Sequence, residues 1–208
     1  MIKTDEDSKM KVILASKSPR RKEIFGAYAK ECGFSFDIIT RETDEELFGE
    51  HPVTGVRTLA ERKGAAVAAE YPDALVISSD TLVELGGKPL GKPIDENDAC
   101  EMLRELSGNT HNVHTGIALT LGNKVFSGVA TTEVTFRDLT DGEIRAYVAT
   151  GEPMDKAGAY GIQGKGGSLV AGYNGEFDTV VGFNMTLLKG LMSEAVGDVS
   201  ALLEGNDD

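Results

Sequence analysis

The chain has 208 residues with 34 acids against 21 bases, and a net charge of −13 excludes the cationic surface that a nucleic-acid binder or an anionic-lipid binder needs. At 40% apolar residues it can bury a core and is too hydrophobic for wholesale disorder, and its length fits one large or two-lobed domain. Cys32 and Cys100 are too few for a disulfide framework and lack metal-ligand spacing, while the acidic N-terminus has no apolar signal core and no run is long enough to span a membrane; a reduced, cytoplasmic setting is expected.

The predicted elements begin with an apolar strand over 11–15. Ser18-Pro19 then opens a helix, with serine at the N-cap and proline at the first helical position; Ile24, Phe25 and Tyr28 form its apolar face and Gly33 stops it. A second strand is expected over 34–39, followed by an acidic loop over 42–50 and an alanine-rich helix over 59–70. Residues 74–78 read as a buried strand running into Ser79-Asp80-Thr81, with a Gly86-Gly87 turn beyond. Asp95 caps a helix that runs through Leu106. Two long strands, 113–121 and 124–136, flank a Gly122-Asn123 turn. Thr140 and Glu143 form a capping box for a helix ending near Gly151. A glycine-rich segment over 158–175, a strand over 179–182 and a helix over 184–195 complete the chain. Helices and strands interleave but the central hairpin breaks strict βαβ alternation, so the expected class is α/β with a mixed sheet. The whole of 1–208 reads as a single domain with frayed ends at 1–9 and 205–208.

Four cations in Lys17-Ser-Pro-Arg-Arg-Lys22 sit at the amino end of a predicted helix, where the dipole disfavours them. A bound phosphate would resolve that conflict, since helix N-terminal amides and paired arginines both favour it; the alternative is a solvated basic turn. Asp80 follows Val76-Ile77-Ser78-Ser79, placed to end an apolar strand where ligands of open α/β sheets bind; it reads as a metal ligand or general base, or else as a turn cap. Asp44-Glu45-Glu46 offers further carboxylates of the kind magnesium shares with substrate phosphates, although most acidic triplets are merely solvated. Lys63 and Lys92 are either phosphate contacts or exposed lysines. The stretch 161–167 has neither Walker A nor dinucleotide-fingerprint spacing, but its glycines allow close backbone approach to a ligand. Within it, Gln163 carries the donor and acceptor that match the imide edge of uracil or thymine. His111 and His114 are three apart on a strand and face opposite ways, which argues against zinc.

Ser16-Lys-Ser-Pro-Arg-Arg21, Ser79-Asp80-Thr81, Gly91-Lys-Pro93, Leu106-Ser-Gly108 with His111, Val134-Thr-Phe136, Glu143 with Tyr147, and 155–164 stand in an order that resembles the Maf-like nucleoside triphosphate pyrophosphatases over about residues 11–192. The resemblance implies an elongated mixed sheet flanked by helices, two lobes with a central cleft, and hydrolysis of a nucleoside triphosphate to monophosphate and pyrophosphate with magnesium or manganese. It implies Ser16, Ser18, Arg20 and Arg21 as phosphate-binding. Glu45, Lys63, Asp80 and Lys92 match the polar residues of the catalytic cleft, with Asp80 as proton acceptor and Asp80 and Glu45 as the metal-holding acids. Arg20, Thr81 and Gln163 match the positions that read the substrate, in a combination like the dTTP/UTP branch. One departure, Ser78-Ser79 where Gly-Ala is common, exchanges small residues for small ones. The expected reaction is metal-assisted attack of water on the α-phosphorus of dTTP, UTP or modified pyrimidine triphosphates. Which of Asp80 and Glu45 is base stays open. Two rival readings also stay open, a pyrophosphatase for modified purines such as 7-methyl-GTP and a nucleotide-binding regulator of septum formation that does not hydrolyse. No nucleic-acid or membrane partner is expected, and a homodimer is the default symmetry.

Overall fold

Strand β1 (Val12–Leu14) is wholly buried and parallel to neighbours on both sides, β2 (Asp37–Ile38) and β3 (Leu75–Leu85). From there the sheet is antiparallel: β3 pairs with β5 (Thr110–Leu121), β5 with β6 (Lys124–Phe136), and β6 with β7 (Val170–Asn174), while the short β4 (Lys88–Leu90) folds back on the far end of β3. The result is a seven-stranded mixed sheet of order β2-β1-β3-β5-β6-β7 in a computed structural model that describes residues 10–44, 51–198 and 202. The expected frayed ends at 1–9 and 205–208 and the acidic residues Glu45 and Glu46 lie outside the described residues.

The helices are α1 (Pro19–Cys32), α2 (Pro52–Ala68), α3 (Glu96–Leu106), α4 (Asp141–Val148), α5 (Phe177–Val181) and α6 (Met185–Val196). Strand alternation sends Leu75 and Ile77 to one face, with Phe25 of α1 and Leu188 of α6, and Val76 to the other, with Val67 of α2. Farther along the same strands, Val83, Val113, Val134 and Phe136 join Leu103 of α3 and Ile144 of α4 in a separate core. The long strands β3, β5 and β6 thus carry two lobes on one sheet, as expected of the class.

Helix α2 lies unusually close to that sheet. A Cβ on Gly64 would fall 2.7 Å from Ser78 Oγ, and one on Gly116 would fall 2.6 Å from the Val56 carbonyl oxygen. Ser78 Oγ donates to the Ala60 carbonyl at 2.7 Å, tying helix to strand. The small side chains at this crossing set how deeply α2 can reach across β3.

Several boundaries differ from the sequence expectation. The alanine-rich helix starts at Pro52, not Leu59, because His51 serves as its N-cap through Nδ1, and histidine is not a usual capping signal. The strand expected over 34–39 shrinks to Asp37–Ile38 at the exposed sheet edge. Of the strand expected over 179–182, the β-branched residues 179–181 instead belong to α5 and Gly182 is its C-cap. The Gly182 N–H returns to the Asp178 and Thr179 carbonyls with Gly182 at φ 103°, closing a helical turn against local propensity. The glycine-rich segment hides strand β7, whose exposed residues show no apolar alternation. The capped starts expected at Ser18, Asp95 and Thr140 are all present, and Asn184 caps the last helix as well.

Candidate active site

β1 covers one edge of β3 only as far as Ile77, whose carbonyl accepts the Ala15 N–H, and β4 covers it again from Val83. Residues 78–82 of β3 therefore run past an open stretch of sheet edge. Asp80 stands in the middle of an eleven-residue strand, not at its end, and what makes it accessible is the departure of β1. A cleft of about 1230 Å³ opens there, lined by the loop 15–21, residues 40–43, β3, Lys92 and the segment 154–160.

Asp80 shares its face of β3 with Ser78 and points toward α2, where Lys63 Nζ meets Asp80 Oδ1 at 2.5 Å. Both side chains are largely buried, at 18% and 15% exposure. The close crossing at Gly64 positions Lys63, its chain neighbour. Around this pair the described lining is strongly cationic: seven lysines and arginines against three acids, in a protein whose whole sequence is −13. A concave cationic site in an acidic protein concentrates an anionic ligand locally.

Arg20 contributes from α1 with its Nε buried and without a hydrogen-bond partner. A buried unsatisfied donor costs about 1–3 kcal/mol, which a ligand acceptor would recover. Ser18 Oγ accepts the Arg21 N–H at 3.4 Å as the helix cap, and Ser16 Oγ accepts the Ser18 N–H at 3.3 Å, so the two serines shape the turn that presents Arg20 to the cleft. Lys92 is exposed at the rim. Lys156 Nζ reaches Asp155 Oδ1 at 2.5 Å and the Glu152 carbonyl at 3.0 Å. Hydrogen bonding from Lys156, aided by the charge of Arg20, holds the Asp155 carboxyl below its ordinary range despite partial burial.

Arg21, one residue on, is committed to the protein. Its Nε donates to the Gly182 carbonyl at 2.8 Å, Nη1 to the Ser79 carbonyl on the open edge of β3 at 2.7 Å, and Nη2 to Thr81 Oγ1 at 2.8 Å. Thr81 faces the side of the sheet opposite Asp80. Its hydroxyl lies 3.2 Å from Thr115 Oγ1, which itself donates to the Thr179 carbonyl at 2.7 Å.

The glycine-rich stretch folds around a side chain of the protein's own. Glu152 accepts the N–H groups of Lys165 and Gly166 at 3.0 and 3.1 Å and the Tyr147 hydroxyl at 3.1 Å. A Cβ on Gly164 would fall 2.4 Å from Glu152 Oε1, and one on Gly166 would fall 2.6 Å from the Tyr147 oxygen. The expected close approach is real, but the approaching groups are Glu152 and Tyr147. Burial opposes ionisation of Glu152, yet the Gly166 and Lys165 amides and the Tyr147 hydroxyl outweigh it and keep the carboxyl below its usual range. Gln163 rides exposed on this loop, beside a small recess that it shares with Arg20 and Tyr160.

His111 and His114 face opposite ways as expected. His111 Nε2 meets the Tyr160 hydroxyl at 2.8 Å, and His114 bridges Thr131 and Glu84 at 2.8 Å each. Among the described residues no group of three or more His, Cys, Asp or Glu side chains converges to hold a metal. Of the expected residues, the structure brings Ser16, Ser18, Arg20, Arg21, Lys63, Asp80, Thr81 and Lys92 to one cleft and leaves Gln163 at its small side recess; Glu45 lies outside the described residues. Lys156 falls within the 155–164 run of the resemblance, which assigns it no role, and Thr115 carries no local signal that marks it as a partner of Thr81. Only the register that sets Thr115 opposite Thr81 and the turn at 152–155 bring them there.

Residues 11–195 match the family described as Maf-like protein. The chain belongs to that family. The match runs from β1 to α6 and so takes in both lobes of this Maf-like chain. The dTTP/UTP pyrophosphatase of Moorella thermoacetica is 47% identical over 186 residues, covering 88% of this chain and 94% of the relative. That of Bacillus velezensis is 47% identical over 173 residues, covering 83% of this chain and 89% of the relative. Among solved structures, a nucleoside-triphosphatase, dITP/XTP pyrophosphatase, from Mycobacterium abscessus overlaps with a TM-score of 0.44 at 12% identity, over 61% of this chain and 73% of that one. That likeness is distant.

Proposed function

We propose that this Maf-like protein hydrolyses dTTP and UTP to the nucleoside monophosphate and pyrophosphate. The observation that carries the reading is the Lys63–Asp80 pair in the open stretch of sheet edge, inside a cleft whose charged lining residues are chiefly cations. The two pyrophosphatase relatives, matched over most of their length, support it.

In this reading the triphosphate lies across the mouth of the β1–α1 turn. Arg20, with its unsatisfied Nε, binds phosphate oxygens together with Lys63 and Lys92, offsetting the charge that develops as pyrophosphate leaves. Ser16 and Ser18, which line the cleft, hold the turn that presents Arg20 to the same oxygens. Asp80 accepts the proton of the water that attacks the α-phosphorus, and Lys63 keeps its carboxylate oriented. Arg20, Thr81 and Gln163 read the nucleotide.

The Asp80 carboxylate in a cleft that would take a triphosphate suits magnesium or manganese, which take one or two carboxylates and complete their shell with phosphate oxygens and water. Asp80, with Glu45 from the acidic segment, would hold the ion. When bound, such an ion polarises phosphoryl oxygens and lowers the pKa of coordinated water. The cytoplasmic setting and the homodimer expected from the sequence stay with this proposal.

Pyrophosphate release measured across a panel of nucleoside triphosphates with each metal tests the reading. Turnover of dTTP and UTP, lost in Asp80→Asn, is the expected result. A preference for 7-methyl-GTP or ITP rejects the pyrimidine assignment, and a nucleotide that binds without being hydrolysed rejects the enzyme.

A further inference from the structure

The hydroxyl of Thr81 sits in a chain of hydrogen bonds whose direction can be worked out by counting protons. A threonine hydroxyl has one proton and two lone pairs. Thr115 uses its one proton on the Thr179 carbonyl at 2.7 Å, so in the Thr81–Thr115 contact at 3.2 Å the donor is Thr81. Arg21 Nη2 donates to Thr81 Oγ1 at 2.8 Å and has no acceptor capacity of its own. The Thr81 proton is therefore committed, one lone pair is filled, and one lone pair remains.

Resting on the pyrophosphatase reading, we propose that Arg21 and Thr115 are positioning residues that lock Thr81 as a hydrogen-bond acceptor toward the cleft, so that the site selects a nucleotide presenting a donor there. A phosphate oxygen offers no proton and gains nothing at Thr81. The donors a pyrimidine nucleotide carries are the imide N3–H of uracil or thymine and the sugar hydroxyls. Cytosine presents a bare N3 lone pair where uracil presents N–H, and would set acceptor against acceptor. Arg21 then acts through Thr81 and the open edge of β3, with its three nitrogens engaged by Gly182, Ser79 and Thr81, and is not a phosphate ligand.

The test compares kcat/KM for UTP, CTP, N3-methyl-UTP, 2′-deoxy-UTP and 3′-deoxy-UTP in the wild type, Thr115→Val, Thr81→Val and Arg21→Lys, with inorganic tripolyphosphate as a competitive probe. In the wild type, CTP and N3-methyl-UTP fall about tenfold or more below UTP if the donor is the imide, and a deoxy-UTP falls instead if it is a sugar hydroxyl. Thr115→Val frees the Thr81 proton to turn toward the ligand, so the penalty shrinks severalfold; Thr81→Val removes it, and Arg21→Lys weakens it while tripolyphosphate inhibition stays within about twofold. A fold defect alone would lower all substrates together and leave these ratios unmoved. The proposal is overturned if all five nucleotides are equal in the wild type, if the ratios are the same in every soluble variant, or if Arg21→Lys loses tripolyphosphate binding tenfold. A wild type that releases no pyrophosphate from any nucleotide instead overturns the underlying reading.

Discussion

Lys63 of α2 and Asp80 of β3 meet at 2.5 Å across the interface between helix and sheet. Neither element could supply the pair alone, because the acid comes from the open stretch of a strand and the cation from a helix laid close across it. Asp80→Asn preserves shape and removes the proton acceptor, so kcat should fall about 10²–10⁴-fold. Lys63→Met should cost about 10²–10³-fold by removing a cation from the developing charge. Steady-state pyrophosphate release, with circular dichroism to confirm folding, checks both. Near wild-type turnover in Asp80→Asn would take that residue out of the chemistry.

The crossing that sets this distance is sensitive to a single methyl. In Gly64→Ala the new Cβ would meet Ser78 Oγ at 2.7 Å and Thr120 Oγ1 at 3.0 Å. Overpacking of this kind costs about 1–3 kcal/mol and offsets the roughly 1 kcal/mol that alanine gains over glycine in a helix. Activity should fall as well, because Lys63 moves with the helix. Adding Ser78→Ala makes room, so the double variant should recover part of both losses, read as non-additivity in urea midpoints and kcat/KM.

Glu152 serves as an internal anion for the loop that carries Gln163. In Glu152→Ala the amides of Lys165 and Gly166 lose their acceptor, at a cost of about 1–3 kcal/mol. The loop should then show faster amide exchange at 164–167, and discrimination among bases should weaken while phosphate binding holds. Hydrogen exchange and the substrate panel read the two effects separately.

Burial pushes the His111 imidazole down to about 4, so it is neutral in the folded protein at any pH above that. Unfolded histidine takes up its proton near pH 6.5. Above that value neither state is charged and stability is complete. Between about 6.5 and 4 only the unfolded state gains a proton, so stability falls as pH drops, by about 3 kcal/mol in all, and below 4 the loss levels off. His111→Gln should remove this part of the pH dependence. Urea unfolding from pH 7 to pH 4 in both proteins isolates it from the carboxylates, which act on both alike.

Much of the chain was legible because its signals are local. Ser18-Pro19, Asp95 and Thr140 with Glu143 are caps made by atoms three residues apart, and they appear where the sequence places them. The long hairpin at Gly122-Asn123 follows from the turn chemistry and two β-rich flanks. The start of α2 was hidden behind a histidine cap, and α5 behind a β-branched run that the Gly182 turn overrides.

The sequence by itself determined the class, the capped helix starts, the basic stretch at 17–22 and the residue types that later share the cleft. Only the tertiary structure decided that adjacent arginines part company, Arg20 with an unpaired buried nitrogen and Arg21 held by carbonyls 58 and 161 residues away. It alone decided that Asp80 is reachable from mid-strand, that the glycine loop encloses Glu152, and that the charged residues lining the cleft of a protein of charge −13 are mostly cations. The physical reason is range. A cap is closed by neighbours in the chain, whereas the partner of a guanidinium or a carboxylate depends on which strand edge is left uncovered and which helix crosses it.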